Sequence, residues 1–196
     1  MRNIKVQQAK LATVFPRGGN WIYEMKYDGW RIVAFIEFNN ATNNSTMHFI
    51  SRNGNDFTEQ FKTIAKVLQH HSNDRNVILD GEMIVTDEQG NSDFHALRSP
   101  VQNKLSYIVF DILTLDGQDL RNKPLSERKE ILKNFLKDCP SNIHLCQFTK
   151  GKGREIFKQV CELGLEGIIA KDLDSTYAGN RNGTWLKFKC ENYVRK

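Results

Sequence analysis

The sequence predicts an α+β fold built mainly of antiparallel strands. Eight segments are rich in β-branched and aromatic residues, and three others carry apolar residues at helical spacing. The predicted strands arrive in hairpin-like pairs with the helices dispersed between them, which favours antiparallel sheets over a doubly wound α/β fold. No internal repeat and no Pro-, Gly- or Ser-rich linker divides the chain, so we expect one domain over residues 1–196.

The N-terminal part is predicted to form three strands. Residues 21–26 and 31–38 are rich in β-branched and aromatic side chains, and Tyr27-Asp28-Gly29 supplies a tight turn between them. The polar loop of residues 39–45 then leads to a third strand over residues 46–51.

The middle of the chain is predicted to contain a helix followed by two strands. Apolar residues recur at helical spacing over residues 58–69, which indicates an amphipathic helix. Residues 77–86 predict a strand, and the nearly continuous apolar run of residues 107–113 predicts a central strand.

The C-terminal part is predicted to contain two helices and three strands. Ser126 is a suitable N-cap for the first of these helices, and Gly164 a suitable end for the second. The predicted elements are a helix over residues 125–136, a strand over 143–148, a helix over 154–163, and strands over 166–171 and 184–189.

Composition restricts the class of protein. Of 196 residues, 39% are hydrophobic and 26% are charged, which excludes disordered, collagen-like and coiled-coil chains. The apolar runs are too short to span a bilayer, and no apolar stretch follows the charges of the N-terminus as it would in a signal peptide. We therefore expect a cytoplasmic monomer without membrane association.

Net charge and cysteine spacing narrow the expectations further. The charge of +5 permits a polyanionic partner without requiring one. The four cysteines form neither a CxxC pair nor a zinc-binding spacing, so we expect reduced thiols. The sequence also lacks the GxxxxGK[ST], GxGxxG and GxSxG motifs, and any nucleotide would have to be bound without them.

Five charged residues stand within or beside otherwise apolar strands: Lys26, Glu82, Glu166, Lys187 and Lys189. Taken one at a time, each also fits a solvent-facing position on a half-exposed antiparallel strand. Taken together, they provide the cations and carboxylates that a phosphorylated ligand and a metal ion require. A lysine facing other cations has a lowered pKa, and its neutral amine is a nucleophile, which singles out Lys26.

Six short motifs resemble, in order, those of the covalent nucleotidyltransferases, the family of DNA ligases, RNA ligases and mRNA capping enzymes. The first, Lys26-Tyr27-Asp28-Gly29-Trp30-Arg31, is similar to the KxDGxR motif that carries the nucleophile. The others are Ser51-Arg52-Asn53-Gly54, Asp80-Gly81-Glu82, Tyr107-Ile108-Val109-Phe110-Asp111, Glu166-Gly167-Ile168-Ile169-Ala170-Lys171 and Trp185-Leu186-Lys187-Phe188-Lys189. A single KxDG is common by chance, but six motifs in order are specific.

Within this family the chain most resembles ATP-dependent DNA ligases, and in particular the ligase module of bacterial end-joining proteins. The segments that indicate this are 51–58 and 115–121, followed by Pro124-Leu125 and Glu127-Arg128. Only 25 residues precede Lys26, which leaves no room for the extra domain of NAD-dependent ligases. Family members continue into a C-terminal OB-fold domain; because this sequence stops at Lys196, we expect that domain to be absent and nick sealing by this chain alone to be poor.

The resemblance implies two largely antiparallel sheets flanked by helices, with ATP bound between the sheets. Lys26 would attack the α-phosphate to form Lys–AMP and release pyrophosphate, and Lys187 and Lys189 would neutralise the growing charge. Glu166, with help from Glu82, would hold Mg²⁺, with Mn²⁺ as an alternative. In the complete enzyme AMP would then pass to the 5′-phosphate of nicked double-stranded DNA, and the 3′-OH of the nick would displace it.

The resemblance also implies contacts with the rest of the nucleotide and with DNA. Glu82 and Arg31 would contact the ribose, and Arg52 would contact the ribose or a phosphate of the DNA. Phe110 would stack on adenine, although an aromatic residue in an apolar strand also fits the core. Glu24 would lie beside the base, and Arg181 is a candidate contact for DNA phosphate. Partners would be nicked DNA and an OB-fold domain or a DNA end-joining protein.

Two alternatives remain open from the sequence. The first is another covalent nucleotidyltransferase, namely an RNA ligase or a GTP-using capping enzyme. The second is a catalytically idle nucleic-acid-binding module. The five strand-associated charged residues argue against the second alternative, because a scaffold has no need of all of them.

Overall fold

Two mostly antiparallel sheets and three helices make up the part of the chain that the computed structural model describes, residues 4–87, 92–101 and 104–195. The strands are β1 (Lys10–Leu11), β2 (Trp21–Met25), β3 (Trp30–Asn39), β4 (Asn44–Ser51), β5 (Val77–Val85), β6 (Leu105–Leu115), β7 (Gln118–Asp119), β8 (Ile143–Leu145), β9 (Phe148–Lys150), β10 (Gly167–Asp172) and β11 (Trp185–Lys189). The helices are α1 (Lys62–Ser72), α2 (Leu125–Phe135) and α3 (Gly153–Glu162), with a short 3₁₀ helix at His95–Arg98.

The six-stranded sheet has the order β4-β3-β5-β6-β7, with β8 paired to β6. Its strands are antiparallel except for the parallel β6–β8 pair. The main hydrophobic core lies on one face of this sheet, where residues of α1 and α2 such as Ile64 and Leu132 pack against Phe49 and Tyr107. Burial of this apolar surface is the main force that holds the sheet and helices together.

The five-stranded sheet has the order β1-β11-β10-β2-β9, and only the β1–β11 pair is parallel. The register sets Glu24 opposite Ile169 and Ile169 opposite Lys187. Directly opposed residues share a face of a sheet, so these three side chains form one row. Helix α3 covers the other face, where Val160 packs with Tyr23 and its neighbours.

The structure confirms the predicted α+β class and contains each predicted helix. It differs for residues 143–148, which were predicted as one strand but are divided between β8 in the six-stranded sheet and β9 in the five-stranded sheet. Between them the Cys146 N–H still donates to Val109 O at 2.8 Å, after which the chain crosses to the other sheet. No turn residue interrupts the segment where the chain crosses from one sheet to the other, so the sequence pattern does not reveal the crossing.

Three further differences concern element boundaries. Helix α2 begins at Leu125, directly after Pro124, so Ser126 is not its N-cap. Helix α1 begins at Lys62 rather than residue 58, because Thr58 is held in a turn by Asp56 and its hydroxyl accepts a hydrogen bond from the Phe49 N–H. The two-residue strands β1 and β7 and the 3₁₀ helix were not predicted, since such short elements have no periodicity to detect.

The prediction of four reduced cysteines is wrong for two of them. Cys161 of α3 and Cys190, directly after β11, form a disulfide, whereas Cys139 and Cys146 are free. The disulfide partners are separated by 29 residues and are brought together by the packing of α3 on the sheet, which their spacing in the sequence does not reveal. Burial raises the pKa of the Cys146 thiol to about 12, which keeps it protonated.

Across the described ranges, none of the helices has the length and apolar character needed to cross a bilayer.

Candidate active site

A cleft between the two sheets brings together most of the predicted site residues. Strands β2, β3, β5, β6, β10 and β11 all contribute side chains to its walls. Eight of the predicted residues line it: Glu24, Lys26, Arg31, Arg52, Glu82, Phe110, Arg181 and Lys187. The other two do not line the cleft: Glu166 forms an ion pair with Lys26, and Lys189 forms an ion pair with Glu166.

Lys26 stands directly after β2, where its backbone N–H donates to Gly167 O at 2.9 Å. Gly167 has φ of +144°, and a Cβ there would lie 2.0 Å from Phe188 O. Only glycine allows this close approach of β10 to β11. The Nζ of Lys26 then reaches Glu166 Oε2 at 2.5 Å, and Lys189 Nζ reaches Glu166 Oε1 at 3.2 Å. One buried carboxylate therefore binds two of the three predicted catalytic lysines.

Lys187 completes a cluster of cations at this end of the cleft. Partial burial lowers its pKa, and repulsion from Lys189, Arg181 and Lys26 lowers it further. Lys26, Arg181 and Lys187 line the same cleft, so one polyanionic group can contact all three. The arrangement suits a polyphosphate.

Glu82 faces the same region from β5. Burial raises the pKa of its carboxyl to about 7; Lys26 and Arg31 act in the opposite direction, and Asp80 and Glu166 add to the increase. The turn after Lys26 passes close to β5, since a Cβ on Gly29 would lie 2.3 Å from Met83 O. Glycine at this position thus permits the proximity of Lys26 and Glu82.

Arg31 is bound more tightly than the sequence indicated. Its Nε and Nη2 donate to both oxygens of buried Asp80, at 2.9 and 2.5 Å, and its Nη1 donates to Gln7 O at 2.6 Å. Asp80 also accepts from the Tyr177 hydroxyl at 2.6 Å, and its charge raises the pKa of Arg31 despite burial. The cation is therefore a fixed part of the wall. In the sequence, Asp80 is recognisable only as part of a motif, and no pattern indicates a role for Tyr177 or Gln7.

Aromatic side chains form another part of the cleft wall. Phe110 is partly buried, lines the cleft, and meets Trp185 edge to face with ring centroids 5.9 Å apart. The Arg31 guanidinium lies 5.2 Å from the Phe110 ring centroid and the Lys171 ammonium lies 4.4 Å from it. A flat, polarisable surface of this kind suits a planar heterocycle.

Glu24 lies beside this aromatic surface. It is 2% exposed, lines the cleft, and is paired with Lys129 and Lys171. Arg52 and Arg181 are exposed at the rim, and Arg181 donates to Gln8 Oε1 at 2.7 Å.

Glu166 and Glu82 are the predicted metal ligands. The described residues contain no group of three or more His, Cys, Asp or Glu side chains that could hold a metal ion by themselves. Mg²⁺ commonly binds through one or two carboxylates together with waters and substrate phosphates. Two carboxylates that both interact with Lys26 fit that mode of binding, with the phosphates supplied by the substrate.

Comparison with known proteins identifies a family whose members are similar to this chain. The family model for the ATP dependent DNA ligase domain matches residues 5–189. The multifunctional non-homologous end joining protein LigD of Pseudomonas aeruginosa is 34% identical over 181 residues, which are 90% of this chain and 21% of that protein. The SPbeta prophage-derived DNA ligase-like protein LigB of Bacillus subtilis is 34% identical over 86% of this chain and 60% of its own length. The chain thus spans between one fifth and three fifths of these curated relatives.

Solved structures agree with the sequence relatives. The ligase domain of M. tuberculosis LigD superposes with a TM-score of 0.81 at 26% identity, covering 95% of this chain and 60% of that one. A mycobacterial DNA ligase D complexed with ATP and MES superposes with a TM-score of 0.78 at 28% identity, with the same coverage. Since the family model spans nearly the whole of this sequence and these structures share its two-sheet architecture, the chain belongs to the ATP-dependent DNA ligase domain family.

Proposed function

We propose that this chain catalyses the adenylation step of an ATP-dependent DNA ligase, with Lys26 as the nucleophile. The observation that carries the proposal is the position of Lys26. Its amine faces a cleft lined by both aromatic and cationic side chains. On its other side, a buried carboxylate lies 2.5 Å away. Few other functions require a lysine between a pocket that suits a nucleotide base and a pocket that suits phosphates.

ATP would lie along the cleft with its base against the aromatic part of the wall. Phe110 would stack on adenine, and Glu24 would lie beside the base. Glu82 would contact the ribose, and Arg31, already fixed by Asp80, would direct a remaining N–H toward it. The triphosphate would then extend to the cations, where Arg52 is a further candidate contact.

The reaction would start with transfer of a proton from the Lys26 ammonium to solvent water; before the reaction this ammonium donates a hydrogen bond to Glu166 Oε2. The neutral amine attacks the α-phosphorus, an N–P bond forms, and the P–O bond to the β-phosphate breaks to release pyrophosphate. Lys187 and Lys189 stabilise the negative charge that grows on the phosphate oxygens. Mg²⁺ or Mn²⁺ bound by Glu166 and Glu82 would supply further charge neutralisation at the phosphates.

Transfer of AMP to DNA would follow in the complete ligase. AMP passes to the 5′-phosphate of nicked double-stranded DNA, and the 3′-OH of the nick then displaces it. Arg52 and Arg181 at the exposed rim are positioned to contact DNA phosphates. The relative named as an end joining protein supports a role in DNA repair, with an OB-fold domain or an end-joining protein as partner.

Mass spectrometry of the protein after incubation with ATP and Mg²⁺ tests this proposal. We expect one AMP adduct, located on Lys26 by peptide mapping, and much slower formation of a GMP adduct with GTP. Lys26→Ala and Lys26→Arg should both lose the adduct, because a guanidinium stays protonated near neutral pH. Lys62→Arg, on the exposed surface of α1, is the matched control and should retain it.

An adduct on Lys26→Arg would place the nucleophile elsewhere. Labelling by GTP in preference to ATP would favour the capping-type alternative, although the relatives described above are DNA ligases. A comparison of nicked DNA with nicked RNA as the acceptor would separate a DNA ligase from an RNA ligase.

A further inference from the structure

The base end of the cleft contains a buried charge cluster that the adenylation chemistry does not use directly. Lys129 extends from α2 toward Glu24 on β2, and Lys171 approaches the same carboxylate from β10. All three side chains are at most 3% exposed. Buried charges are costly unless they are paired. The fold meets this requirement by bringing three charged side chains together from three separate elements.

The two lysines do not hold Glu24 in the same way. Lys129 Nζ donates a short hydrogen bond to Glu24 Oε1. Lys171 Nζ lies 2.6 Å from Oε2 and also faces aromatic rings, 3.8 Å from the centroid of Trp185 and 4.4 Å from that of Phe110. The hydrogen bond from Lys129 fixes the Oε1 side of the carboxylate.

Lys129 itself does not line the cleft, whereas Glu24 does. Any effect of Lys129 on a bound nucleotide must consequently pass through Glu24. The remaining lone pairs of the carboxylate are available to a hydrogen-bond donor in the cleft. The exocyclic amino group of adenine is such a donor, whereas guanine presents an acceptor oxygen at the corresponding position.

We propose that Lys129 is a positioning residue that holds the Glu24 carboxylate as a fixed acceptor toward the base, and thereby sets the preference of this chain for adenine over guanine nucleotides. This inference rests on the proposed adenylation function. It assigns the helix α2, which lies outside the motifs of the site, a part in substrate choice.

The electrostatics of the cluster are consistent with this role. Burial by itself would raise the pKa of Glu24, but Lys129 and Lys171 together hold it below its ordinary value. In turn, burial acts to lower the pKa of Lys129, but the charge of Glu24 raises it above its ordinary value. Burial lowers the pKa of Lys171, with a further contribution from Lys129. Both lysines therefore favour the ionised, accepting form of Glu24, and of the two only Lys129 has a pKa raised above its ordinary value.

The test compares Lys129→Gln with the wild-type chain. Glutamine keeps a hydrogen-bond donor and removes the charge. Lys133→Gln, an exposed substitution on the same helix, is the matched control, and Lys129→Arg restores a cation. Formation of the nucleotide adduct is followed under single-turnover conditions with ATP and with GTP; kcat here denotes the maximal rate constant and KM the nucleotide concentration that gives half of it.

We expect Lys129→Gln to raise the KM for ATP about tenfold and to reduce the ATP-to-GTP ratio of kcat/KM by a similar factor, the size of effect produced by weakening one hydrogen bond to a charged group. The kcat with ATP should stay within about twofold of wild type, because Lys129 touches no reacting atom. Lys129→Arg should recover most of the preference, and Lys133→Gln should match wild type.

A purely structural role would lower the melting temperature without changing the ATP-to-GTP ratio, and a folded Lys129→Gln protein with the wild-type ratio overturns the inference. If Lys129→Gln does not fold, the double variant Lys129→Gln/Glu24→Gln removes both charges of the pair. It should discriminate no worse than Glu24→Gln alone; an added loss would show that Lys129 acts independently of Glu24. Absence of labelling in the wild type would instead contradict the adenylation function.

Discussion

Glu82 illustrates how strongly the cleft alters a single carboxyl group. Its pKa is raised from 4.5 to about 7, chiefly by burial. An acid whose pKa is higher in the folded state than in the unfolded state contributes most to stability below its unfolded pKa, and that contribution is lost as pH rises through the folded value. Glu82 therefore makes the folded chain progressively less stable between about pH 4.5 and about pH 7.

Glu82→Gln should remove this dependence. We expect the melting temperature of the wild type to fall relative to that of the variant as pH rises from about 4.5 to about 7, and the difference to stay constant at higher pH. Differential scanning calorimetry of both proteins across this range measures the effect. A difference in melting temperature that does not vary with pH would show that Glu82 titrates at its ordinary value in the folded chain.

The grouping of the predicted site residues could be anticipated, because nucleotide chemistry restricts residue type at motif positions, whereas their roles stay predictions. Eight of the predicted residues line one cleft; Glu166 forms an ion pair with Lys26, and Lys189 forms an ion pair with Glu166. The supporting residues were not predictable. Tyr177 and Lys129 contact the site only through other side chains, and their partners lie 97 and 105 residues away in the sequence.

At the scale of elements, one buried ion pair joins α2 to β6. Arg128 Nε and Nη2 donate to the two oxygens of Asp111 at 2.8 and 2.9 Å, and Nη1 donates to the backbone oxygens of Lys123 and Ser175. Both charged side chains are fully buried. Removing one partner would leave an uncompensated charge in the interior, which costs far more than the pair itself contributes.

Arg128→Met should therefore lower the free energy of unfolding by about 3–5 kcal/mol. The matched control is Arg75→Met, which breaks an ion pair with Asp116 in which Nε and Nη2 both donate to Oδ2 and the side chains are 45% and 50% exposed. That substitution should change stability by less than about 1 kcal/mol. Urea denaturation gives both values, and equal effects of the two substitutions would contradict the buried role of Arg128.

The elements themselves were predictable where their apolar pattern is long. The run over residues 107–113 indicated a central strand, and β6 lies inside the six-stranded sheet with neighbours on both sides. The sequence did not predict that residues 143–148 are divided between two sheets. The division depends on which sheet pairs with the backbone after Cys146, and the residues of the segment do not determine that pairing. Local pattern fixes the type of an element, whereas packing fixes its partners.

At the scale of the whole molecule, the disulfide joins the helix that covers the five-stranded sheet to the end of β11, the strand that carries Lys187 and Lys189. Cys190 directly follows Lys189, and its N–H donates to Glu166 O at 3.0 Å. Cys161 lies on α3, on the opposite face of the sheet from the cleft. The link therefore ties the outer layer of this sheet to the backbone around Glu166.

Reduction of this disulfide should destabilise the chain without unfolding the cleft directly. Closing a loop of 29 residues restricts the unfolded chain, which corresponds to about 3–4 kcal/mol in the chain-entropy description. We expect a reductant such as a trialkylphosphine to lower the free energy of unfolding by about this amount in the wild type. The Cys161→Ser/Cys190→Ser variant should be less stable to the same extent and should not respond to reductant, because Cys139 and Cys146 are already free thiols.

Thiol titration of the unfolded, unreduced protein should find two free cysteines rather than four. Four free thiols, or a stability that reductant leaves unchanged, would show that the sheet and its covering helix are held by apolar packing alone.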